Sequence, residues 1–344
     1  MEESYFLGAN SRAGFASRYR HFAAAPGDTL HVIKGGPGTG KSGFMRAVAA
    51  AAKERGFDAE TVLCSGDPDS LDGVYIPALK QGWVDGTAPH TIDPAHFGAD
   101  GDYVDLGRFC RLPLTDPDRA RVRSLYAAYQ ERYAAAYRWL AAAGAAHEAS
   151  PAAVLPEETQ RKLRRRIRGI LHRLAPRGES GAVSERFLSA VSCRGELKLE
   201  LPERYAAVYR LDEGRGLAPQ ALRIAEEEAA ARGLSRIRCC SPLCPEEPEG
   251  LLLPEAGIAF LAGEKRAESE RSIHLDALLP PPDREEKLAR RRASQLQRSA
   301  LEAAVEQLRL AKEQHDALEA VYRPYMDFAA LTEFTEQTIR RIFA

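Results

Sequence analysis

The sequence predicts an α/β protein in which a parallel sheet occurs twice, with long helices after each copy. A strand-forming segment runs into a glycine-rich loop and an alanine-rich helix, related glycines and prolines return in the second half, and long helical segments follow both. We expect three parts: residues 1–147 with trailing helices, residues 148–182 as linker and basic helix, and residues 183–344 as the second copy with the C-terminal helices.

The elements of the first copy follow from local patterns. Residues 29–34 are β-branched and apolar, which predicts a strand, and the glycine-rich residues 35–40 end it. The alanine-rich residues 41–55 predict a helix. A second strand is expected over residues 59–64, and a third ends at Trp83-Val84. The succession of strand, helix and strand predicts parallel pairing.

The helices are predicted from apolar spacing. Residues 116–147 repeat large apolar side chains every three or four positions, and residues 148–158 contain two prolines typical of a linker. A basic amphipathic helix is expected over residues 161–174. A last helical region follows Pro280-Pro281-Pro282 and carries leucines at helical spacing.

An internal repeat appears when the sequence is slid along itself. Without gaps, Gly38 falls on Gly214 and Gly40 on Gly216; with one extra residue, Pro77 falls on Pro254. The segment FLGAN near the start has a counterpart in FLSAV near the middle. Matched glycines and prolines favour a duplication over a chance match of helical regions.

Composition limits the possible partners. The chain has 344 residues, of which 44% are hydrophobic and 28% charged, and its net charge is -1. Contact with nucleic acid or an anionic surface therefore requires a local patch. We expect a cytoplasmic protein, because neither signal-peptide features nor a membrane span occurs in the sequence. The six cysteines lack a C-x-x-C pair or a histidine at ligand spacing, which predicts reduced, packing cysteines over disulfides or zinc.

The loop after the first strand fits the pattern G-x-x-x-x-G-K-[ST] between a strand and a helix. Its glycines and helix N-terminus provide N–H groups for phosphates, Lys41 is expected to reach the β- and γ-phosphates, and the Ser42 hydroxyl to hold Mg²⁺. The alternative is a glycine-rich turn with an incidental lysine. The predicted ATP contacts are Gly35, Gly36, Pro37, Gly38, Thr39, Gly40, Lys41 and Ser42.

Polar residues follow the next two strands, where ligands of open parallel sheets bind. Asp85 is expected to position Mg²⁺, or else to be an exposed turn residue, and His90 to sense the γ-phosphate, or else to be solvated. One of Asp67, Asp69 and Asp72 is expected to orient a water molecule, and Asp69 joins Lys41 and Asp85 as a candidate catalytic residue. The competing hypothesis is that Asp67-Pro68 begins a helix whose dipole Asp69 complements.

The second copy has lost these groups. Asp212 and Glu213 bring negative charge to its loop, and the sequence places Leu217 over Lys41, Ala218 over Ser42 and Ala262 over Asp85. We therefore expect one nucleotide site per chain, in the first half. Arg215 is a candidate arginine finger for that site.

With these residues in view, the chain resembles a family of uncharacterised bacterial P-loop ATPases with two tandem P-loop halves. The resemblance implies ATP binding at Gly35 to Ser42 and a metal-side role for Asp85. In that family the second half usually has a complete phosphate loop, from which this chain departs. The matching stretches are FLGANSRAGF, IKGGPGTGKSGFMR, LCSGDPDSLDGVYIP, VDGTAPH, YAAAYRWLAAA and KEQHDALEAVYRPYMDF.

The function expected from the sequence is slow ATP hydrolysis by a regulatory or assembly ATPase, which would have a protein partner. No guanine-recognition motif occurs in the sequence, which disfavours GTP. One alternative is a small-molecule kinase. Another is an ATP-switched nucleic-acid-binding protein that uses the basic helix at 161–174, although such a run is more often a solvated face.

Overall fold

A computed structural model describes residues 2–89, 91–178, 181–212 and 214–344. The expectations for His90 and Glu213 therefore lie outside the described residues. The chain divides into two compact units: the first comprises Met1–Leu140, Ser189–Leu199 and Leu301–Ala344, and the second comprises Ala141–Leu188 and Glu200–Ala300.

The first unit contains a six-stranded sheet and two separate hairpins, the second of which lies within Ser189–Leu199. The elements that come first in the chain are β1 (Glu2–Tyr5), β2 (Gly8–Ser11), β3 (Gly14–Ser17), β4 (Thr29–Lys34), α1 (Lys41–Glu54), β5 (Ala59–Leu63), β6 (Leu71–Ile76), β7 (Gln81–Asp85) and β8 (Gly101–Asp105). The sheet has the order β1-β5-β6-β7-β4-β8, and α1 follows β4 along the chain. The first hairpin is formed by β2 and β3.

Two helices, α2 (Asp116–Ala149) and α3 (Glu157–Leu174), precede the second copy. Its strands and helix are β9 (Val183–Arg186), β10 (Ser189–Ser192), β11 (Gly195–Lys198), β12 (Ala207–Asp212), α4 (Ala218–Ala231), β13 (Arg236–Cys240), β14 (Pro248–Leu253), β15 (Ile258–Ala262) and β16 (Arg271–His274). The chain ends with α5 (Arg284–Tyr322) and α6 (Phe328–Ile342).

The two sheets have the same topology. Read from the corresponding edge, the second has the order β9-β13-β14-β15-β12-β16, in which each strand of the first order is replaced by its later counterpart. β10 and β11 repeat the hairpin, and Gly14 and Gly195 both have a φ of 103° at its turn. The duplication expected from the sequence is thus present in the strand order. The α/β class is confirmed.

The prediction of wholly parallel sheets is wrong, because each sheet is mixed. In the first, β6 pairs antiparallel with both β5 and β7, while the remaining pairs are parallel. β6 and β7 are joined by the short turn around Pro77–Leu79. A parallel pair needs a crossover of a dozen or more residues, so this connection can form only an antiparallel hairpin.

The structure also corrects the alignment of the two copies. The pairing of β4 with β7 begins at Thr29, and the pairing of β12 with β15 begins at Ala207. These two residues are therefore equivalent, and five residues further along each strand Lys34 corresponds to Asp212. The next helices begin at Lys41 and Ala218, which leaves the second loop one residue shorter. Ala218 and Pro219 therefore stand in the places of Lys41 and Ser42. The sequence alignment put Leu217 and Ala218 there, because it carried no gap in this loop.

The two longest helices share a pattern of buried residues. α2 buries Leu140 and Ala143 at the spacing with which α5 buries Leu308 and Ala311. When the two helices are aligned at these buried residues, His147 of α2 and His315 of α5 occupy equivalent positions, one turn further along.

Helix packing gives each unit its core. One face of α1 is buried in the hydrophobic core of the first unit through Phe44, Met45 and Val48. The same core contains Trp83 of β7 and Leu331 of α6. In the second unit, α3 packs Leu163, Ile167 and Leu171 against the core that α4 also lines. Within the described part of the chain, no helix has the length and apolarity needed to cross a membrane.

Candidate functional site

The glycine-rich loop joins the end of β4 to the start of α1, as the sequence predicts. Gly38 and Gly40 have φ values of 70° and 84°, a left-handed conformation that favours glycine. Space is limiting too: a Cβ on Gly40 would lie 2.6 Å from Leu331 Cδ2, and one on Gly38 would lie 3.3 Å from Glu319 Cα. Helices α5 and α6 thus touch the loop directly.

Lys41 is held inside the curve of this loop. Its Nζ donates hydrogen bonds to the carbonyl oxygens of Gly35 at 2.8 Å and Gly36 at 2.9 Å, and lies 3.6 Å from Asp85 Oδ2. The side chains of Lys41 and Asp85 are each 13% exposed. The structure therefore brings these two predicted site residues together in a largely desolvated place.

Strand pairing explains the position of Asp85. β7 lies beside β4 in parallel register, with Asp85 opposite Ile33, so the carboxylate emerges where the glycine-rich loop begins. The strand extends through Asp85 instead of ending at Val84. Thr87 fixes the carboxylate, because its backbone N–H and hydroxyl donate to Oδ1 at 2.8 and 2.6 Å.

Ser42 lies on the first turn of α1 and faces the start of β6. Its Oγ accepts a hydrogen bond from the Leu71 backbone N–H at 2.9 Å. A hydroxyl oxygen has two lone pairs, so this bond leaves acceptor capacity for a cation. Oxygen donors from a serine and an aspartate match the preference of Mg²⁺.

The aspartates after β5 have different surroundings. Residues 65–70 form a turn and β6 follows, so Asp67 and Pro68 do not begin a helix. Asp67 Oδ1 accepts from the Asp69 backbone N–H at 3.3 Å, while Oδ2 lies 3.5 Å from Lys312 Nζ on α5. Asp69 is exposed and forms an ion pair with Arg194 of the β10–β11 hairpin.

Asp72 is buried within β6, and its carboxylate accepts a hydrogen bond from the Tyr19 hydroxyl at 2.9 Å. Burial and then the nearby Asp72 carboxylate raise the pKa of Tyr19 well above its ordinary value. Tyr19 therefore stays a hydrogen-bond donor at neutral pH. This contact gives Asp72 a structural role in the first unit.

The corresponding loop of the second unit has another conformation. Leu217, which precedes α4, has a φ of -89° where the first loop has the left-handed Gly40, and Pro219 lacks a backbone N–H. Arg215 donates to Glu286 at 3.0 Å and to the Pro280 carbonyl oxygen at 2.8 Å. Asp212 pairs with His274 at 2.7 Å. These contacts bind the loop to its own unit.

Part of the basic helix is neutralised by α4. Arg164 and Arg168 of α3 both donate to Glu228, at 3.1 and 2.7 Å. Arg164 also pairs with Glu227, and Lys162 pairs with Glu158 at 2.7 Å. The basic residues thus include several with defined structural partners.

Sequence reasoning did not identify four contacts of the predicted site residues. Thr87 was recognisable in principle, since a threonine two residues after an aspartate commonly closes a polar turn. Leu71 contacts Ser42 through its backbone, Glu319 lies against Gly38, and Arg194 pairs with Asp69. No local pattern marks these three residues as partners of the site.

Comparison with protein-family models, with curated proteins and with solved structures finds no match to this chain.

Proposed function

We propose that the first unit binds Mg-ATP at Gly35 to Ser42 and hydrolyses it slowly. The observation that supports this best is the convergence of Lys41 and Asp85, 3.6 Å apart, at the start of a glycine-rich loop that leads into α1. An ammonium group, a helix N-terminus and a carboxylate at one place suit a phosphate chain with its cation.

Each residue has a distinct task in this proposal. The loop N–H groups and Lys41 bind phosphate oxygens, and Ser42 and Asp85 provide oxygen ligands for Mg²⁺. Bound Mg-ATP would supply an electrophilic phosphorus and a cation that neutralises its oxygens. Thr87 keeps the Asp85 carboxylate oriented through its two hydrogen bonds.

Slow turnover follows from the remaining contacts. Lys41 is bonded to the carbonyl oxygens of Gly35 and Gly36, bonds that phosphate would have to replace. The three candidates for orienting water are all engaged: Asp67 with Lys312, Asp69 with Arg194 and Asp72 with Tyr19. Fast hydrolysis would require a rearrangement of these pairs, which suits a regulatory protein.

The C-terminal helices provide a route for regulation. Glu319 of α5 lies against Gly38, and Leu331 of α6 lies against Gly40. A change in the loop conformation on nucleotide binding would therefore alter its packing against both helices. We propose that these helices report the nucleotide state to a protein partner.

Phosphate release from the purified full-length chain tests the proposal. We expect slow Mg²⁺-dependent release from ATP, accelerated by cell extract, and its loss in Lys41→Ala, because the phosphates lose a charged hydrogen bond. Lys53→Ala is the matched control, since Lys53 lies exposed at the end of the same helix. Equal release by Lys41→Ala and the wild-type chain would contradict the proposal.

A further inference from the structure

The second unit contains a cluster of three chemically different metal-ligand donors. The Nε2 or Nδ1 atom of His147, the Sγ of Cys244 and a carboxylate oxygen of Glu247 lie within 4.8 Å of one another. His147 stands in the last turn of α2, and the other two residues belong to the turn between β13 and β14. The histidine is distant in sequence, which is why ligand spacing did not reveal this group.

Hydrogen bonds within the turn hold the backbone that carries two of these donors. The Glu247 backbone N–H donates to the Cys244 carbonyl oxygen at 2.8 Å, and the Ser241 N–H donates to the Glu247 carbonyl oxygen at 2.9 Å. The Ser241 hydroxyl accepts from the Cys244 N–H at 3.3 Å. Cys244 and Glu247 therefore have fixed backbone positions before any ligand binds.

The first unit provides an internal comparison. The equivalent turn runs from Cys64 to Ser70, with the Cys64 N–H donating to the Ser70 carbonyl oxygen and the Ser70 N–H to that of Asp67. Cys244 thus stands in the place of Asp67, and Glu247 in the place of Ser70. Asp67 faces Lys312 in an ion pair, whereas the second unit has a thiol, a carboxylate and an imidazole together.

We propose that His147, Cys244 and Glu247 bind one zinc ion. Nitrogen, sulfur and oxygen donors together suit zinc, whereas Mg²⁺ and Ca²⁺ prefer oxygen alone. Ligand atoms around tetrahedral zinc are about 3.3–3.8 Å apart, so small side-chain adjustments close the cluster.

The exposure of the three side chains indicates the coordination. Cys244 is buried, while His147 and Glu247 are 38% and 34% exposed, so solvent reaches one side of the cluster. A water molecule takes the fourth position there. His147 Nε2 and Glu247 Oε2 are 3.1 Å apart, and the ion would replace the proton they share. The thiol binds as thiolate, so zinc binding releases protons.

Titration of the metal-stripped full-length chain with Co²⁺ tests the site, because cobalt bound to a thiolate gives a near-ultraviolet charge-transfer band. We expect this band to saturate at one ion per chain and to be displaced by Zn²⁺. Cys244→Ser abolishes the band, whereas Cys193→Ser, a matched change at a cysteine of the first unit, leaves it intact. Cobalt at Asp85 and Ser42 would give no such band.

Glu247→Gln is a second variant at a partly exposed position, so it tests the site without removing a buried group. Its affinity for Co²⁺ should fall by more than the roughly 10- to 100-fold that loss of an outer partner costs. The assignment is overturned by absence of the thiolate band in the wild-type chain, by its persistence in Cys244→Ser, or by unchanged affinity in Glu247→Gln.

Discussion

At the scale of single residues, Lys41 and Asp85 define the candidate nucleotide site. Both side chains are largely removed from solvent, and the ammonium lies between the carboxylate and two backbone carbonyl oxygens. A desolvated lysine is tolerated only with such partners, because an unpaired buried charge is costly. The carboxylate of Asp85 and the two carbonyl oxygens therefore compensate the charge of the Lys41 ammonium.

Replacing Asp85 by asparagine separates metal positioning from nucleotide binding. We expect Asp85→Asn to leave ATP binding measurable and to reduce Mg²⁺-dependent phosphate release by roughly 100-fold or more, because a negative metal ligand is lost. Steady-state phosphate release over a range of Mg²⁺ concentrations measures this. The control is Asp102→Asn on β8, where the carboxylate is half exposed and contacts His31. Full turnover in Asp85→Asn would make Asp85 a structural turn residue.

The residues of this site differ in how well sequence predicts them. Lys41, Ser42 and the loop glycines belong to one contiguous pattern whose spacing fixes their geometry. Asp85 required the inference that two strands end side by side, which the register of β4 and β7 confirms. Glu319 lies against Gly38, and Arg194 pairs with Asp69, both through tertiary packing of which their local sequence carries no sign.

At the scale of elements, the sequence predicted helices better than strands. The expectations for 41–55 and 116–147 agree closely with α1 and α2, because an alanine-rich segment has high helix propensity and a long periodic segment has an unambiguous pattern. β1, the β2–β3 hairpin and β8 are short and lack alternation, so sequence analysis missed them. β6 was missed too, and with it the antiparallel pairing.

The α3–α4 contact gives a prediction for pH dependence. Hydrogen bonds from Arg168 are the largest cause that lowers the pKa of Glu228 below its ordinary value. Partial burial acts in the opposite direction, and the hydrogen bond from Arg164 lowers the pKa further. A carboxylate whose pKa is lowered by folding contributes its full stabilisation at pH values above its pKa in the unfolded chain, which is about 4.3 for glutamate. The contribution is lost as the pH falls through the lower pKa of the folded state. We expect the free energy of unfolding to decrease in this acidic window.

Glu228→Gln tests that contribution. At pH 7 it should lower the free energy of unfolding by about 1.5–3 kcal/mol, since charged hydrogen bonds to two arginines weaken. Urea unfolding followed by circular dichroism between neutral and acidic pH measures both effects, and the variant should show a flatter acid dependence. Glu227→Gln, at an exposed neighbouring position, should cost less than about 1 kcal/mol. Identical acid profiles for wild type and Glu228→Gln would contradict this account.

At the scale of the whole molecule, the chain is a duplication whose copies have diverged in chemistry. Both have the same strand order, the same hairpin and a long helix with the same buried spacing. The first has Lys41 and Ser42 at the start of its helix, and the second has Ala218 and Pro219 there. Under the proposed function, retained topology with altered loop residues predicts one nucleotide site per chain, in the first copy.

Calorimetric titration with Mg-ATP measures the number of nucleotide sites. We expect one nucleotide per full-length chain, and Lys41→Ala should weaken binding by about 10- to 100-fold, the equivalent of one lost charged hydrogen bond. Ala218→Ser in the second loop should leave the stoichiometry unchanged. A stoichiometry near two, or a site of full affinity that survives Lys41→Ala, would contradict a single site in the first copy.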